Sequence, residues 1–283
     1  MPRQYDIEHF RTWIGSSRET TDVITPRLAN SLAAILDEEP DLSPGDEAPI
    51  GIHWCLSPEI TQMSSLGPDG HPARGGFLPP ILLPRRMWAG GELRYSGTFI
   101  VGDEVKRKSR VTDVVFKEGR SGSLFFVTVT HEYATSRGVA LNERHDIVYR
   151  AIEMPKATSA ASTVHQYPPA DRQQFVAGTP TLLFRYSAVT FNGHRIHYDR
   201  DYCINEEFYD GLVVHGPLQA NLMLRMAYEM ANRNLPKCFT FRATAPLFDG
   251  ATFAVNARHG DTGTELWVSD SEGRQTMQAM FER

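Results

Sequence analysis

The segment Pro217 to Asn232, PLQANLMLRMAYEMAN, most constrains what this chain can become. Leu218, Leu222, Met226 and Met230 recur at steps of four, with Met223 and Ala227 beside them. The result is one long helix with a broad apolar stripe, built to lie on a sheet. The methionines read as core. The C-terminal residues supply the cover: FTFRATAPLFDGATFAVNARHGDTGTELWVSDSEGRQTMQAMFER parses as strand, turn, strand, turn, strand, with DTG and SEG at the turns. One long helix leading into antiparallel strands is an α+β unit.

A weaker copy of the same outline precedes it. After Gly91, LRYSGTFIVGDEVKRKSRVTDVVF is rich in β-branched and aromatic residues. KEGRSG is a turn, SLFFVTVTHEYAT the strongest strand in the chain, SRG a turn, and LNERHDIVYRA the closing strand. The likeness is one of pattern, not of letters. Between the two lies MPKATSAASTVHQYPPADRQQ, rich in Pro, Ala, Ser and Thr and without apolar periodicity. It reads as a linker over 153–173, dividing a first domain at 1–152 from a second at 174–283. In the first, Pro26 to Leu36 is a helix with Thr25 as N-cap and Pro26 at the first position. A central helix matching that of the second is hard to find, and HWCLSPEI over 53–60 is the best candidate for a degenerate copy.

Composition removes several function classes. The 283 residues are 41% hydrophobic and carry a formal charge of -5, with no block of basic residues to meet nucleic acid. The polar start MPRQYDIEHF is not a secretory signal, and no apolar run approaches the ~18–20 residues needed to span a bilayer. Cys55, Cys203 and Cys238 are scattered and odd in number, which argues against a disulfide framework. The expectation is a cytoplasmic protein with no membrane or nucleic-acid partner.

The densest polar chemistry lies between the linker and the long helix. An apolar lead-in from Leu183, read as strand, runs into Asn192-Gly-His194-Arg-Ile-His197-Tyr-Asp199. Gly211-Leu-Val-Val-His215-Gly216-Pro217 then opens the helix. Pro217 suits a first helical turn because its missing N–H would have had no partner. Gly216 leaves the backbone bare there, and free N–H groups with the helix dipole favour negative charge. An enolate-like thioester oxygen is such a charge, and a donor aimed at one is worth ~3–4 kcal/mol. His197 titrates near neutrality unless perturbed and can move a proton. Asn192 and His194 can orient a water or hold the imidazole; Asp199 can fix a tautomer or cap a helix. His194, His197 and His215, with Cys203 near in sequence, are ligand types, but there is no HExxH or paired CxxC, so no metal is expected. No GxSxG elbow, GxGxxG after a strand or P-loop is present, and no cofactor is expected.

RYSAVTFNGHRIHYD together with YDGLVVHGPLQANLM resembles the MaoC-like hydratase/dehydratase (hydratase 2) family, in the branch of 3-hydroxyacyl-thioester dehydratase type 2 and the mesaconyl-C4-CoA and itaconyl-CoA hydratases. GFLPPILLPRRMWAGGELRYSGTFIVGDEV resembles the FAS1-like dehydratase domain preceding the MaoC-like domain in that branch. The resemblance implies a double hot-dog fold, two curved antiparallel sheets each wrapped around a helix, with the N-terminal half shaping the acyl pocket and the C-terminal half catalysing. The family signature Asp-x-Asn-Pro-x-His falls on Asn192, His194 and His197: the His is kept, the Asp is replaced by Asn192, and the Asn by His194. Asn192 cannot serve as a base, so the resemblance makes His197 the proton carrier, Gly216 the oxyanion donor and Asn192 a holder of water, with His194 or Asp199 taking over part of the lost carboxylate's task.

The resemblance further implies reversible syn hydration of a short branched dicarboxylic enoyl-CoA, itaconyl-CoA or mesaconyl-C4-CoA to citramalyl-CoA, without a cofactor. A free carboxylate wants an arginine, and Arg85, Arg86 and Arg185 are the candidates, with His215 beside the helix start. Three alternatives stay open. One is thioester hydrolysis using Asp199, Glu206, Glu207 or Asp210, another a non-catalytic acyl-binding module, and the third a dehydratase for long fatty acyl chains. Exposed sheet edges make a homodimer the expected assembly.

Overall fold

The computed structural model describes residues 5–119, 122–152 and 169–283. Ten antiparallel strands form one sheet: β1 (Ser17–Val23), β2 (Arg85–Tyr95), β3 (Glu104–Gly119), β4 (Gly122–Thr135), β5 (Gly138–Arg150), β6 (Arg172–Ala177), β7 (Cys238–Ala243), β8 (Thr252–His259), β9 (Gly263–Ser269) and β10 (Gln275–Glu282). Their order is β1-β3-β4-β5-β2-β7-β10-β9-β8-β6. Read from the middle outwards, β2 answers β7, β5 answers β10, β4 answers β9, β3 answers β8, and the edge strands β1 and β6 answer each other. The two halves of the chain are therefore two copies of one unit, joined where β2 meets β7.

Glycines make that joint. Gly90 and Gly91 pair with Arg242 and Phe241, and a Cβ on Gly91 would come 2.7 Å from the Phe241 ring. A β-bulge between Trp88 and Gly90 turns the strand there and re-aims Trp88.

Five helices accompany the sheet: α1 (Ile7–Arg11), α2 (Pro26–Ile35), α3 (Pro180–Thr190), α4 (Arg200–Asn205) and α5 (Gly216–Met230). α2 and α3 begin identically, Thr25 and Thr179 each accepting from the backbone N–H three residues on, with proline next in line. The lead-in from Leu183 is thus helix α3, not strand. Its apolar residues lie all round the helix: Leu183, Tyr186 and Val189 are buried while Phe184 and Phe191 are exposed, so no one-sided stripe marks it.

α5 is the expected long helix. Every residue from Leu218 to Tyr228 is buried, including Gln219, Asn221 and Arg225, because β7 to β10 and β2 wrap it. The N-terminal half has no such helix among its described residues. Among its described residues, the stretch between α2 and β2 holds two short 3-10 turns, Ile52–Cys55 and Met63–Ser65. The first stands at the place foreseen for the degenerate copy. The α+β double hot-dog expectation holds, with the N-terminal unit stripped of its central helix. The foreseen linker at 153–173 falls mostly outside the described residues, and β6 already begins at Arg172.

Candidate active site

With no central helix, the concave face of the N-terminal sheet is left open, and a cleft of about 1390 Å3 occupies it. The register decides which side chains face it. Ser109 pairs with His131 and His131 with Glu143; Val129 pairs with His145, one step along the same face. Arg107, Ser109, His131, Glu143 and His145 thus form a polar belt between two apolar clusters, one around Leu141 and Val105, the other around Phe125 and Val127. Glu143 accepts from Trp54 Nε1 at 2.9 Å and from the Tyr133 hydroxyl at 2.9 Å. Arg107 donates to the Leu56 and Ser57 carbonyls. His53 is fully buried, and neither ring nitrogen has a partner. Burial pushes the His53 and His145 imidazoles down to about 3, so both are neutral.

The C-terminal half supplies the opposite wall with Asn192, His194, His197 and Gly216. Phe191 ends α3 in the left-handed conformation (φ 51°), and Asn192 then folds its Oδ1 onto the His194 N–H at 3.0 Å. His197 lies in the next 3-10 turn, and its Nδ1 is 2.7 Å from the Val213 carbonyl. A carbonyl only accepts, so Nδ1 carries the proton and Nε2 keeps its lone pair. Burial lowers the ring to about 4 despite that hydrogen bond, so His197 is a neutral base. His215 stacks on it at 3.6 Å between ring centroids, 17° from parallel, and binds Ser187 Oγ at 2.9 Å.

Gly216 begins α5, and no side chain caps that end. Trp88 lies over it from the N-terminal half: a Cβ on Gly216 would stand 2.8 Å from Trp88 Cε3. Trp88 is itself stacked on Phe241 at 4.5 Å and meets Trp54 edge-on. The helix start therefore offers free backbone donors to the cleft with an indole plate beside them.

Some expected site residues do not reach the cleft. Asp199 caps α4 through the Tyr202 N–H, and its other oxygen holds Arg195 at 2.8–3.0 Å. It caps a helix and does not line the cleft. Arg85 is spent in a buried ion pair with Glu207 and lies over the Tyr209 ring, and Arg185 is exposed on α3. Of the three candidate arginines only Arg86 lines the cleft. His215 stacks on His197 and is not itself among the residues that line the cleft. Asp199, Glu206, Glu207 and Asp210, the carboxylates a thioester hydrolysis would use, are likewise absent from the lining.

A group not foreseen does reach it. The loop at 67–72 lies across the C-terminal wall: Asp69 O accepts from Arg195 N at 2.9 Å, and Arg195 Nη1 donates to Pro68 O at 2.9 Å. Gly70, at φ +85°, presses so closely on Gly193 that no side chain fits. The loop sets the His71 ring 4.1 Å from that of His194, and Asp69 Oδ2 lies 3.1 Å from His71 Nδ1. Ligand-type atoms of Asp69, His71 and His194 lie within 4.8 Å of one another, but the carboxylate is already bonded to His71. This is a hydrogen-bonded pair beside a third ring. Nothing local marks GPDGHP as part of a site; its two glycines only make a turn legible.

A family model described as hydroxyacyl-thioester dehydratase type 2 matches residues 51–249. The chain is 40% identical over 274 residues to the mesaconyl-C4-CoA hydratase of Chloroflexus aurantiacus, covering 95% of this chain and 96% of that one. It is 27% identical over 247 residues to the mitochondrial hydroxyacyl-thioester dehydratase type 2 of Schizosaccharomyces pombe, with 77% and 79% covered. Among solved structures, a MaoC-like dehydratase from Phytophthora capsici superposes with a TM-score of 0.71 at 15% identity, over 99% of this chain and 98% of that one. A Mycobacterium tuberculosis protein described as a double hot-dog fold does so with a TM-score of 0.57 at 15% identity, 95% of each chain covered. At those identities the structural likeness is one of fold.

Proposed function

The chain belongs to the hydroxyacyl-thioester dehydratase type 2 family, and from that premise we propose that it reversibly hydrates a short dicarboxylic enoyl-CoA, mesaconyl-C4-CoA or itaconyl-CoA, to citramalyl-CoA. The observation that carries this reading is the shared cleft wall of His197, whose Nε2 is an unprotonated base, and Gly216, whose helix start offers backbone donors. A thioester carbonyl at Gly216 brings the double bond before His197. His197 Nε2 takes a proton from water as its oxygen bonds to the β-carbon, and the carbonyl oxygen takes the charge at the helix start. Asn192 helps hold that water.

The choice of a dicarboxylic substrate rests on charge. In mesaconyl-C4-CoA the free carboxylate sits on the carbon that receives water, so its cation must stand beside the histidines. Arg86, which lines the same cleft as His71, His145, His194 and His197, is the candidate cation. The three cysteines are free and buried, as a reducing cytoplasm allows, and no described helix is long and apolar enough to cross a membrane. A homodimer completes the reading, through sheet edges that lie at β1 and β6 with Phe175 of β6 exposed.

The test offers mesaconyl-C4-CoA, itaconyl-CoA and crotonyl-CoA separately, monitoring the conjugated thioester by absorbance and the product by mass. Gain of one water is expected, falling by about 10²–10⁴ in kcat for His197→Ala. Arg86→Gln is expected to raise KM for the dicarboxylic substrates by about tenfold or more and to leave crotonyl-CoA unaffected. Release of free CoA instead of addition of water would sink the reading.

A further inference from the structure

The position that the family signature fills with aspartate holds Asn192, whose amide carries no acidic proton, and it has already turned its oxygen to the His194 backbone. A carboxylate reaches the same wall from the other half of the molecule. Asp69 accepts from the His71 backbone N–H at 3.0 Å and faces His71 Nδ1 at 3.1 Å, fixing the ring at two points. His71 lines the cleft with its ring centroid 4.1 Å from that of His194, and the His194 centroid in turn lies 5.5 Å from that of His197. The closure of Gly70 onto Gly193 and the two backbone hydrogen bonds to Arg195 leave the loop little room to shift.

We propose that His71, held by Asp69, is the second proton carrier of this site and delivers the proton to the α-carbon in place of the missing aspartate. The proposal rests on the hydration reading. Water loses a proton to His197 Nε2 as the C–O bond forms at the β-carbon, and the π pair moves onto the thioester as an enolate. The enolate then takes at the α-carbon the Nε2 proton of His71 in its imidazolium form, whose Nδ1–H stays on Asp69; solvent then reprotonates His71 Nε2 and takes the proton from His197, which returns both imidazoles to their starting states. The division of labour arises from what faces each ring. Burial lowers both; the hydrogen bond of His197 is to a neutral carbonyl, whereas His71 has a carboxylate bonded to it that opposes the burial. The charges around His71 are Asp69 and Arg74 from its own loop, Arg86 from β2, and the neutral rings of His194 and His197. Burial would raise the Asp69 carboxyl, but His71 holds it below the usual carboxylate range, so it stays an anion.

The experiment compares the full-length wild type with His71→Gln, Asp69→Asn and Asp69→Glu on mesaconyl-C4-CoA, recording kcat and KM against pH, with Tm for each variant. His71→Gln is expected to lose about 100-fold in kcat with KM within about threefold. Asp69→Asn removes the charge that raises His71, so the alkaline fall of kcat moves to lower pH, and Asp69→Glu moves it back. Losses below about threefold in both His71→Gln and Asp69→Asn, with unchanged pH profiles, would overturn the proposal. So would a stoichiometric metal whose chelation abolishes wild-type turnover, since the imidazole lone pairs would then be engaged. If the wild type adds no water to any of the three thioesters, the hydration reading fails and this proposal fails with it.

Discussion

The two halves of this molecule share a strand order, an edge strand and a Thr-Pro helix start, and they differ in what fills the hollow of the sheet. In the C-terminal half α5 fills it, and the facing positions are Phe253, Val255, Leu266, Val268 and Met277, all buried. In the N-terminal half the corresponding strands offer Arg107, Ser109, His131, Glu143 and His145. A sheet face that meets a helix must be apolar, because a polar group buried there without partners costs about 1–3 kcal/mol. A face that meets a cleft is free of that demand. Losing the helix is what opens the cleft, and keeping it in the other half provides the helix start that faces the cleft.

The contrast between the halves can be strained at four places, in descending order of expected effect per residue. Leu222→Ala, in the middle of α5, should lower stability by about 2–5 kcal/mol, because no solvent can enter the hole it leaves; urea unfolding measures it. Acid should come next. The folded values of His53 and His145 are about 3 and that of His197 about 4, all below the ordinary 6.5. Between those limits the unfolded chain takes up protons that the folded one refuses. Stability is therefore full above pH 6.5 and is lost as pH falls toward 4, by an amount on the order of 3 kcal/mol per histidine. An unfolding free energy that stays flat over that range would refute it.

His53→Leu should act in the opposite direction to Leu222→Ala. It removes two unpartnered buried nitrogens and should raise stability at neutral pH by about 1–3 kcal/mol while flattening the acid slope by one proton. A loss of stability instead would mean that the belt is structural after all. The smallest effect tests the symmetry itself. Thr25→Ala and Thr179→Ala each remove one matched N-cap bond, 3.1 Å and 3.2 Å, and each should cost about 1 kcal/mol. Very unequal costs would show that the two helix starts are not equivalent.

Much of this was legible in the letters. The stripe Leu218, Leu222, Met226 marks α5, and the turns DTG and SEG separate the last strands. α3 was not, because its apolar residues do not keep to one face, although Thr179-Pro180 repeats the cap that marks α2. Among site residues, Asn192, His194, His197 and Gly216 stand within one stretch of chain and meet where that stretch folds. Asp199 looked equally suitable, and its local role as the α4 cap consumed it. Arg85 and Arg86 cannot be told apart as neighbours in a string. On a strand their side chains point to opposite faces, and so one meets Glu207 and the other the cleft.

The sequence by itself determined the long helix α5 and the strands that follow it, the nearness of His197 to a helix start, and the replacement of the signature aspartate by Asn192, because periodicity, capping and motif spacing are local properties. Tertiary structure alone decided that the N-terminal hollow is a cleft, that Trp88 covers Gly216, and that Asp69 and His71 stand beside His194. Those residues lie up to 128 positions apart, from Trp88 to Gly216 and from Asp69 to His194, and only the pairing of β2 with β7 and the closure of Gly70 on Gly193 bring them together.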